Sequence, residues 1–587
     1  MGRGFETVER YRAPAPGRAR RWFTWRAVLL GVALLGLAVV LHKASRMSPP
    51  LPGSRAWPQV GLAGLGCLAA ALFVGRQART GSAGTVTRWA RRSRRNSGVA
   101  SFWVLLLRGS RWAMLRRAHV WRPSLAEVPW WRRWRVPVTE YAVPMARVGG
   151  LTVYSPVEDV TLRVGGPRTG KSGEMADHIA DAPGAVIATS TRLDLLQTVG
   201  PIRATRGPVW VFNPSGLGGI ASTVRFNPLT GCTTPKTAYE RAEDMLGGSG
   251  GGDSAERDYW TAQARRILSG LLHAAALGGA SMHDVLGWVA APDTAKATVL
   301  AYLRRSPVTA YLADVSQFLS TNDKTRTSIT STIMPALSWL MVETAADSAV
   351  GPDAGPNAEP FDVARLLAES GTVFLLGGDD GQTAPLVGAL TGHIAREARR
   401  LAGLAPSGRL DPPLSMVLDE IAIICPVPLD QWTADMGGRG VCIHLAAQSR
   451  AQLRQRWGHE GAAAILNNAA TVLVYGGTRD PDDLAAWSTL AGDRVDDDLG
   501  RVPVLSPAQI AQLPERRVLI IRRATPAAVG TVRMAWKRRD VRRAQRGMAA
   551  YERDRAAAGH PGRWHEPHQP AASATAASAT EEVPTNV

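Results

Sequence analysis

At 587 residues the chain is too long for one compact core, and about three or four domains are expected from length. Its 69 lysines and arginines against 49 aspartates and glutamates give a net charge of +20, but residues 1–150 alone hold 26 basic and four acidic residues, and the rest is close to neutral. Charge therefore does not by itself make the body a nucleic-acid binder, and four cysteines at no metal-ligand spacing argue for free thiols rather than a disulfide scaffold or a zinc site.

The basic excess frames two apolar stretches, Trp22–Leu41 and Trp57–Val74, each long enough to cross a bilayer as a helix. Arginines crowd the chain before the first (residues 1–21, a basic tail) and after the second, while the loop between them holds only Lys43, Arg46 and Arg55. The positive-inside rule then puts both ends in the cytoplasm and the short loop outside, a multi-pass protein of the cytoplasmic membrane over residues 22–75. A cleaved signal peptide is the rival for the first stretch, but a second span follows and no small-residue cleavage site stands out. Residues 76–150 read as a juxtamembrane linker rich in Trp and Arg. Its run Phe102–Leu107 is too short to cross, and Trp130-Trp131-Arg132-Arg133-Trp134-Arg135 suits either an anionic leaflet or a solvated linker.

Near Leu151 the pattern changes to short apolar runs alternating with helical stretches, the signature of an α/β parallel-sheet domain. After the apolar run Val160–Val164 come Gly165, Gly166, Pro167, Arg168, Thr169, Gly170, Lys171 and Ser172, which fit the phosphate-cradling pattern Gly-x-x-x-x-Gly-Lys-[Ser/Thr]. A helix over Ser172–Ala182 follows, so backbone N–H groups and the positive helix end face a polyphosphate. Only six of the 69 basic residues are lysines, and one of them is Lys171, where a compact point charge is needed rather than a planar fork.

Strands are expected next at Ala185–Thr189 and Val209–Phe212. A helical subdomain over residues 236–345 then interrupts the ATPase-like parts 151–235 and 346–545; its stripe of Trp260, Ala264, Ile267, Leu268, Leu271 and Leu272 reads as core. Strand character returns at Thr372–Leu376 and at Leu414–Leu418, which runs into Asp419-Glu420. After a phosphate loop, such a pair lets Asp419, with Ser172, hold Mg²⁺ while Glu420 orients or deprotonates an attacking water. Val441–Ala446 ends near Gln448, which either senses a γ-phosphate or is an ordinary capping amide. Thr471–Tyr475 and Val518–Ile521 complete the sheet, and residues 546–587 have the composition of a disordered tail.

Taken together, the two apolar N-terminal stretches, the loop at 165–172, Phe226-Asn227-Pro228-Leu229, Tyr259-Trp260, Leu418-Asp419-Glu420, Gly438-Arg439, Gln448-Ser449, Trp457-Gly458 and Asn467 resemble the TraG/TraD-like coupling proteins of conjugation and type IV secretion, relatives of the FtsK/HerA P-loop ATPases. The resemblance implies a RecA-like ATPase domain with an all-helical insertion and a membrane anchor. It implies a homo-oligomeric, hexameric ring that hydrolyses ATP with Mg²⁺ and drives single- or double-stranded DNA, with its relaxase, to a type IV secretion channel. It also implies an arginine acting on a neighbour's site, with Arg439 the first candidate and Arg450 the reserve, although either could be a surface ion-pair partner. Thr189-Ser190-Thr191-Arg192 departs from the family's Asp-Pro-Lys-Gly segment. Export of protein effectors, or a non-hydrolysing membrane scaffold, are the alternatives; a solute transporter fits poorly, because the two apolar stretches carry no charge suited to a pathway.

Overall fold

The computed structural model describes residues 18–46, 56–78, 99–247, 255–349, 361–378, 381–496 and 500–557. They fall in two compact units, one within Met1–Arg92 and one within Ser93–Val587.

In the first unit, helices Arg18–Ser45 and Trp57–Ala78 pack side by side. A β-carbon at Gly31 would stand 3.0 Å from the Gly64 carbonyl oxygen, and one at Gly64 would stand 3.0 Å from that of Gly31, so these two glycines let the backbones approach. Among the described residues, no helix is long and apolar enough to cross a membrane. The two expected spans are therefore not supported as membrane-crossing helices and are seen here as two packed helices. Residues 22–29 and 70–74 of those spans lie outside the described side chains.

The second unit is built on one eleven-stranded sheet. Its strands are β1 Ala142–Val148, β2 Leu151–Pro156, β3 Thr161–Val164, β4 Val186–Ser190, β5 Val209–Phe212, β6 Thr372–Leu376, β7 Leu414–Leu418, β8 Val441–Ala447, β9 Thr471–Tyr475, β12 Arg517–Arg522 and β13 Thr525–Thr531, while β10 Asp493–Asp496 and β11 Gly500–Pro503 form a separate hairpin. Strands β9-β3-β8-β7-β4-β6-β5 run parallel in that order. Strands β12, β13, β1 and β2 extend the β9 edge with antiparallel pairing. The parallel strands are buried end to end, which is why β5 reads Val-Trp-Val-Phe and β9 Thr-Val-Leu-Val-Tyr without alternation.

Strand β8 lies between β3 and β7, with Val164 opposite Ala447 and Leu418 opposite Leu445. Beyond β7, Thr189 of β4 stands opposite Leu418. The carboxyl ends of β3, β8, β7 and β4 therefore meet at one rim, the position where open α/β sheets bind ligands. Among the described residues between β5 and β6 lie the helices Pro235–Gly247, Ala255–Gly278, Met282–Ala290, Pro292–Leu303, Thr309–Ser320 and Asp323–Leu337. Ala264, Ile267, Leu268, Leu271 and Leu272 are buried there, as core.

Two expectations need correction. The stretch 76–150 is not a linker from residue 99 onward: helices Phe102–Gly109, Arg111–Leu115 and Ala118–Trp121 bury Leu105, Met114, Leu115, Ala118 and Trp121, and β1 joins the sheet. Elements this short, with arginine between their apolar residues, give little periodicity to read. The tail expected from 546 begins inside a helix, Arg539–Ala557, whose Val541 joins the core beside Ala535. Residues 558–587 lie outside those described.

Candidate functional site

Strand β3 delivers the chain into the loop 165–170, and the helix Lys171–Asp181 starts at once behind Gly170, which is left-handed at φ 103°. The first N–H groups of that helix have no intrahelical acceptor and carry its positive end. Lys171 is buried and curls back over the loop, its Nζ donating to the Gly166 carbonyl at 2.9 Å and to that of Gly165. Burial pulls its pKa down, against the nearby carboxylates of Asp419 and Glu420. Thr169 Oγ1 closes the turn by donating to the Gly166 carbonyl at 2.8 Å. Pro167 and Arg168 form its crest, Arg168 at φ 59°.

Strand β7 supplies the acids. Ser172 Oγ donates to Asp419 Oδ2 at 2.6 Å across 247 residues of chain. Burial raises the Asp419 pKa; the Ser172 hydrogen bond opposes this and the neighbouring Glu420 charge adds to it. Glu420 sits in the left-handed region at φ 48°, ψ 45°, a conformation that costs an ordinary residue about 1–2 kcal/mol. Its N–H donates to Asp419 Oδ1 at 3.0 Å, and Thr191 Oγ1 donates to its Oε2 at 2.7 Å. Thr189 Oγ1 donates to the Asp419 carbonyl at 2.9 Å. Thr189 and Thr191 thus hold the acid pair in place.

Gln448 follows β8 at the same rim, where the Gly165 N–H donates to the Ala447 carbonyl at 3.4 Å. The capping here falls to others: Ser449 Oγ accepts from the Gln452 N–H at 3.1 Å, and Gln452 Oε1 accepts from the Gln448 N–H at 2.9 Å. The Gln448 amide is therefore not the helix cap. The arginine candidates are placed differently. Arg439 is two-fifths exposed, at 4.0 Å from Asp435 on its own turn. Arg450 lies over the Trp487 ring at 5.6 Å and beside Asp483.

Beneath the loop lies a fully buried support. Arg163 of β3 grips Glu174 of the following helix through Nε at 2.6 Å and Nη2 at 3.0 Å. Glu174 also meets His178, whose ring stacks on His444 of β8 at 5.3 Å. Burial would raise the Glu174 pKa, but Arg163 and then His178 outweigh it and hold it at about 2. On the outer side the segment after β13 covers the helix start, with Met534 against Gly170 and Trp536 against Gly173.

Sequence reading missed Thr189, Thr191, Arg163, Glu174 and Trp536. Arg163 carried a signal, a charge inside an otherwise apolar strand. The others became visible only once β4 and the segment after β13 had been placed.

A divalent cation fits the residues present: the Ser172 hydroxyl and Asp419 carboxylate are hard oxygen donors in contact, and Asp419 is buried beside a second acid, Glu420. The fold is RecA-like, and its rim carries a phosphate-loop motif beside an acid pair.

Comparison with known proteins narrows the class. Residues 413–515 match the family described as the TraM recognition site of TraD and TraG. The plasmid coupling protein TrwB in complex with the non-hydrolysable GTP analogue GDPNP has 20% identity and a TM-score of 0.52, over 67% of this chain and 89% of that one. The bacterial conjugative coupling protein TrwBdeltaN70, in an unbound form, has 18% identity and a TM-score of 0.53, over 67% and 88%. TrwB in complex with ADP and Mg²⁺ has 19% identity and a TM-score of 0.52, over 67% and 90%. No curated protein matches the chain. In its matched segment and its fold, the chain resembles the TraG/TraD-like coupling proteins.

Proposed function

We propose that this chain is an ATP-hydrolysing coupling protein of a conjugative or type IV secretion system, moving DNA with its relaxase toward a membrane channel. The observation that carries the reading is the closure of Ser172 on Asp419 with Glu420 held beside them. In that arrangement the loop 165–170, Lys171 and the helix N-terminus bind the phosphates of ATP. Ser172 and Asp419 would hold Mg²⁺, which supplies charge neutralisation on the phosphates. Glu420 orients and deprotonates the attacking water, and Gln448 reads the γ-phosphate from the adjacent strand.

Arg439, exposed and weakly paired, is the arginine offered to a neighbouring subunit's site in a hexameric ring. TrwB with ADP and Mg²⁺ supports the nucleotide assignment, and the TraM-recognition match over 413–515 supports docking of a relaxosome protein there. Attachment to the cytoplasmic membrane belongs to the same reading. It is supported by the arginine-flanked apolar stretches and by Leu30, Val32, Val40 and Leu62, which stand exposed on the N-terminal hairpin.

Plasmid transfer from a strain lacking this chain tests the reading. Complementation by the natural sequence and failure by Lys171→Ala at equal protein level is the expected result; equal transfer by both would overturn it.

A further inference from the structure

Helix Phe102–Gly109, sequence Phe-Trp-Val-Leu-Leu-Leu-Arg-Gly, has more apolar side chains than the sheet can cover. Leu105 is 2% exposed and joins the core with Met145 and Val153, whereas Trp103 is 68% and Leu107 58% exposed. The next elements repeat the pattern. Met114, Leu115, Ala118 and Trp121 pack inward around Tyr141 and Val157, while Trp112, Val120, Trp131 and Trp134 remain outside. These segments are tied together: Arg111 Nη2 donates to the Trp134 carbonyl at 2.6 Å and to that of Val136 at 3.2 Å. The core of this region is complete without the outer aromatics, so packing within the unit does not account for them.

Charge identifies the occupant. From 99 to 135 the chain holds eight arginines and one acid, Glu127. Two of the arginines lie over the exposed rings, Arg116 at 4.8 Å from Trp112 and Arg132 at 4.8 Å from Trp131. Tryptophan with one apolar and one wet edge, cationic heads beside it, and aliphatic side chains at the same level are what a bilayer interface with anionic headgroups rewards. A nucleic acid would use the arginines and stack on the rings, but it gains nothing from Leu107 and Val120. The surface also follows, through the arginine-rich residues 79–98, directly on the apolar N-terminal stretches.

We propose that residues 102–135 form a membrane-docking surface that lays this edge of the ATPase unit on an anionic leaflet. The inference rests on the membrane seat proposed above and adds a second, peripheral contact on the ATPase unit itself.

The test is amide hydrogen exchange over 102–135 in the full chain, free and with vesicles of phosphatidylcholine alone or mixed with phosphatidylglycerol, beside flotation of the same samples. Anionic vesicles are expected to slow exchange several-fold, neutral ones much less, and added salt to reverse part of the effect. The variant Trp103→Ser/Leu107→Ser/Trp131→Ser should still float and hydrolyse ATP, yet lose the slowing. A chain that floats with 102–135 exchanging as in solution overturns the docking surface and leaves the membrane seat intact. A chain that does not float overturns both. Slowing by a short DNA duplex and not by vesicles reassigns the surface to nucleic acid.

Discussion

Ser172 Oγ and Asp419 Oδ2 meet at 2.6 Å, joining the first turn of the P-loop helix to the end of a strand two places away in the sheet. The contact makes the metal assignment testable without reference to transport. Ser172→Ala and Asp419→Asn should each weaken Mg²⁺-dependent nucleotide binding by about 10-fold or more, read by titrating a fluorescent ATP analogue with and without the metal. Binding in EDTA should change little.

Arg439 and Arg450 should separate in kinetics. Arg439→Ala should retain ATP binding and lose turnover by about 10³-fold in the assembled protein. Arg450, already engaged with Asp483 and Trp487, should show a smaller loss, accompanied by a lower melting temperature. Normal turnover by assembled Arg439→Ala would remove it from the neighbour's site.

Acid stability should report the buried support. Glu174 is held at about 2, against an ordinary value of 4.5. A depressed carboxylate contributes stability that is fully present above its unfolded value and is lost as pH falls through its folded value. Glu174 therefore contributes roughly 3 kcal/mol at neutral pH, given up between about pH 4.5 and 2. Glu174→Gln should lose that share of the acid dependence and, by leaving Arg163 buried without its partner, destabilise the unit by about 3–5 kcal/mol. Denaturant unfolding as a function of pH measures both.

Gly173 offers a packing test of the C-terminal cover. A β-carbon there would run into the Trp536 ring, so Gly173→Ala should cost about 1–3 kcal/mol. Adding Trp536→Ala should recover part of that cost, and a double-mutant cycle gives the coupling. Additive effects would mean that Trp536 does not bear on the helix start in solution.

Much of this architecture was legible. Val209–Phe212, Thr372–Leu376, Leu414–Leu418 and Thr471–Tyr475 are strands with the bounds expected from sequence, because strands buried on both faces appear as unbroken apolar runs. The phosphate loop and the acid pair were legible as motifs, since each needs particular residue types at fixed spacing. Strands β1 and β13 escaped because Pro, Ala and Arg interrupt their apolar residues, as in Thr525-Pro526-Ala527-Ala528. Thr189 and Thr191 escaped because their role depends on β4 lying next to β7, a pairing between residues far apart in the chain. The two bilayer spans were read from apolar length alone, whereas among the described residues no helix is long and apolar enough to cross.

The proposed function is that of an ATP-driven motor acting on DNA. Its most direct measurement is ATP hydrolysis by the purified full chain with and without single- and double-stranded DNA, beside Lys171→Ala. Stimulation by DNA that vanishes in Lys171→Ala is the predicted result. An assembled ring that binds ATP yet never hydrolyses it, or hydrolyses it at the same rate with and without DNA, would contradict the account.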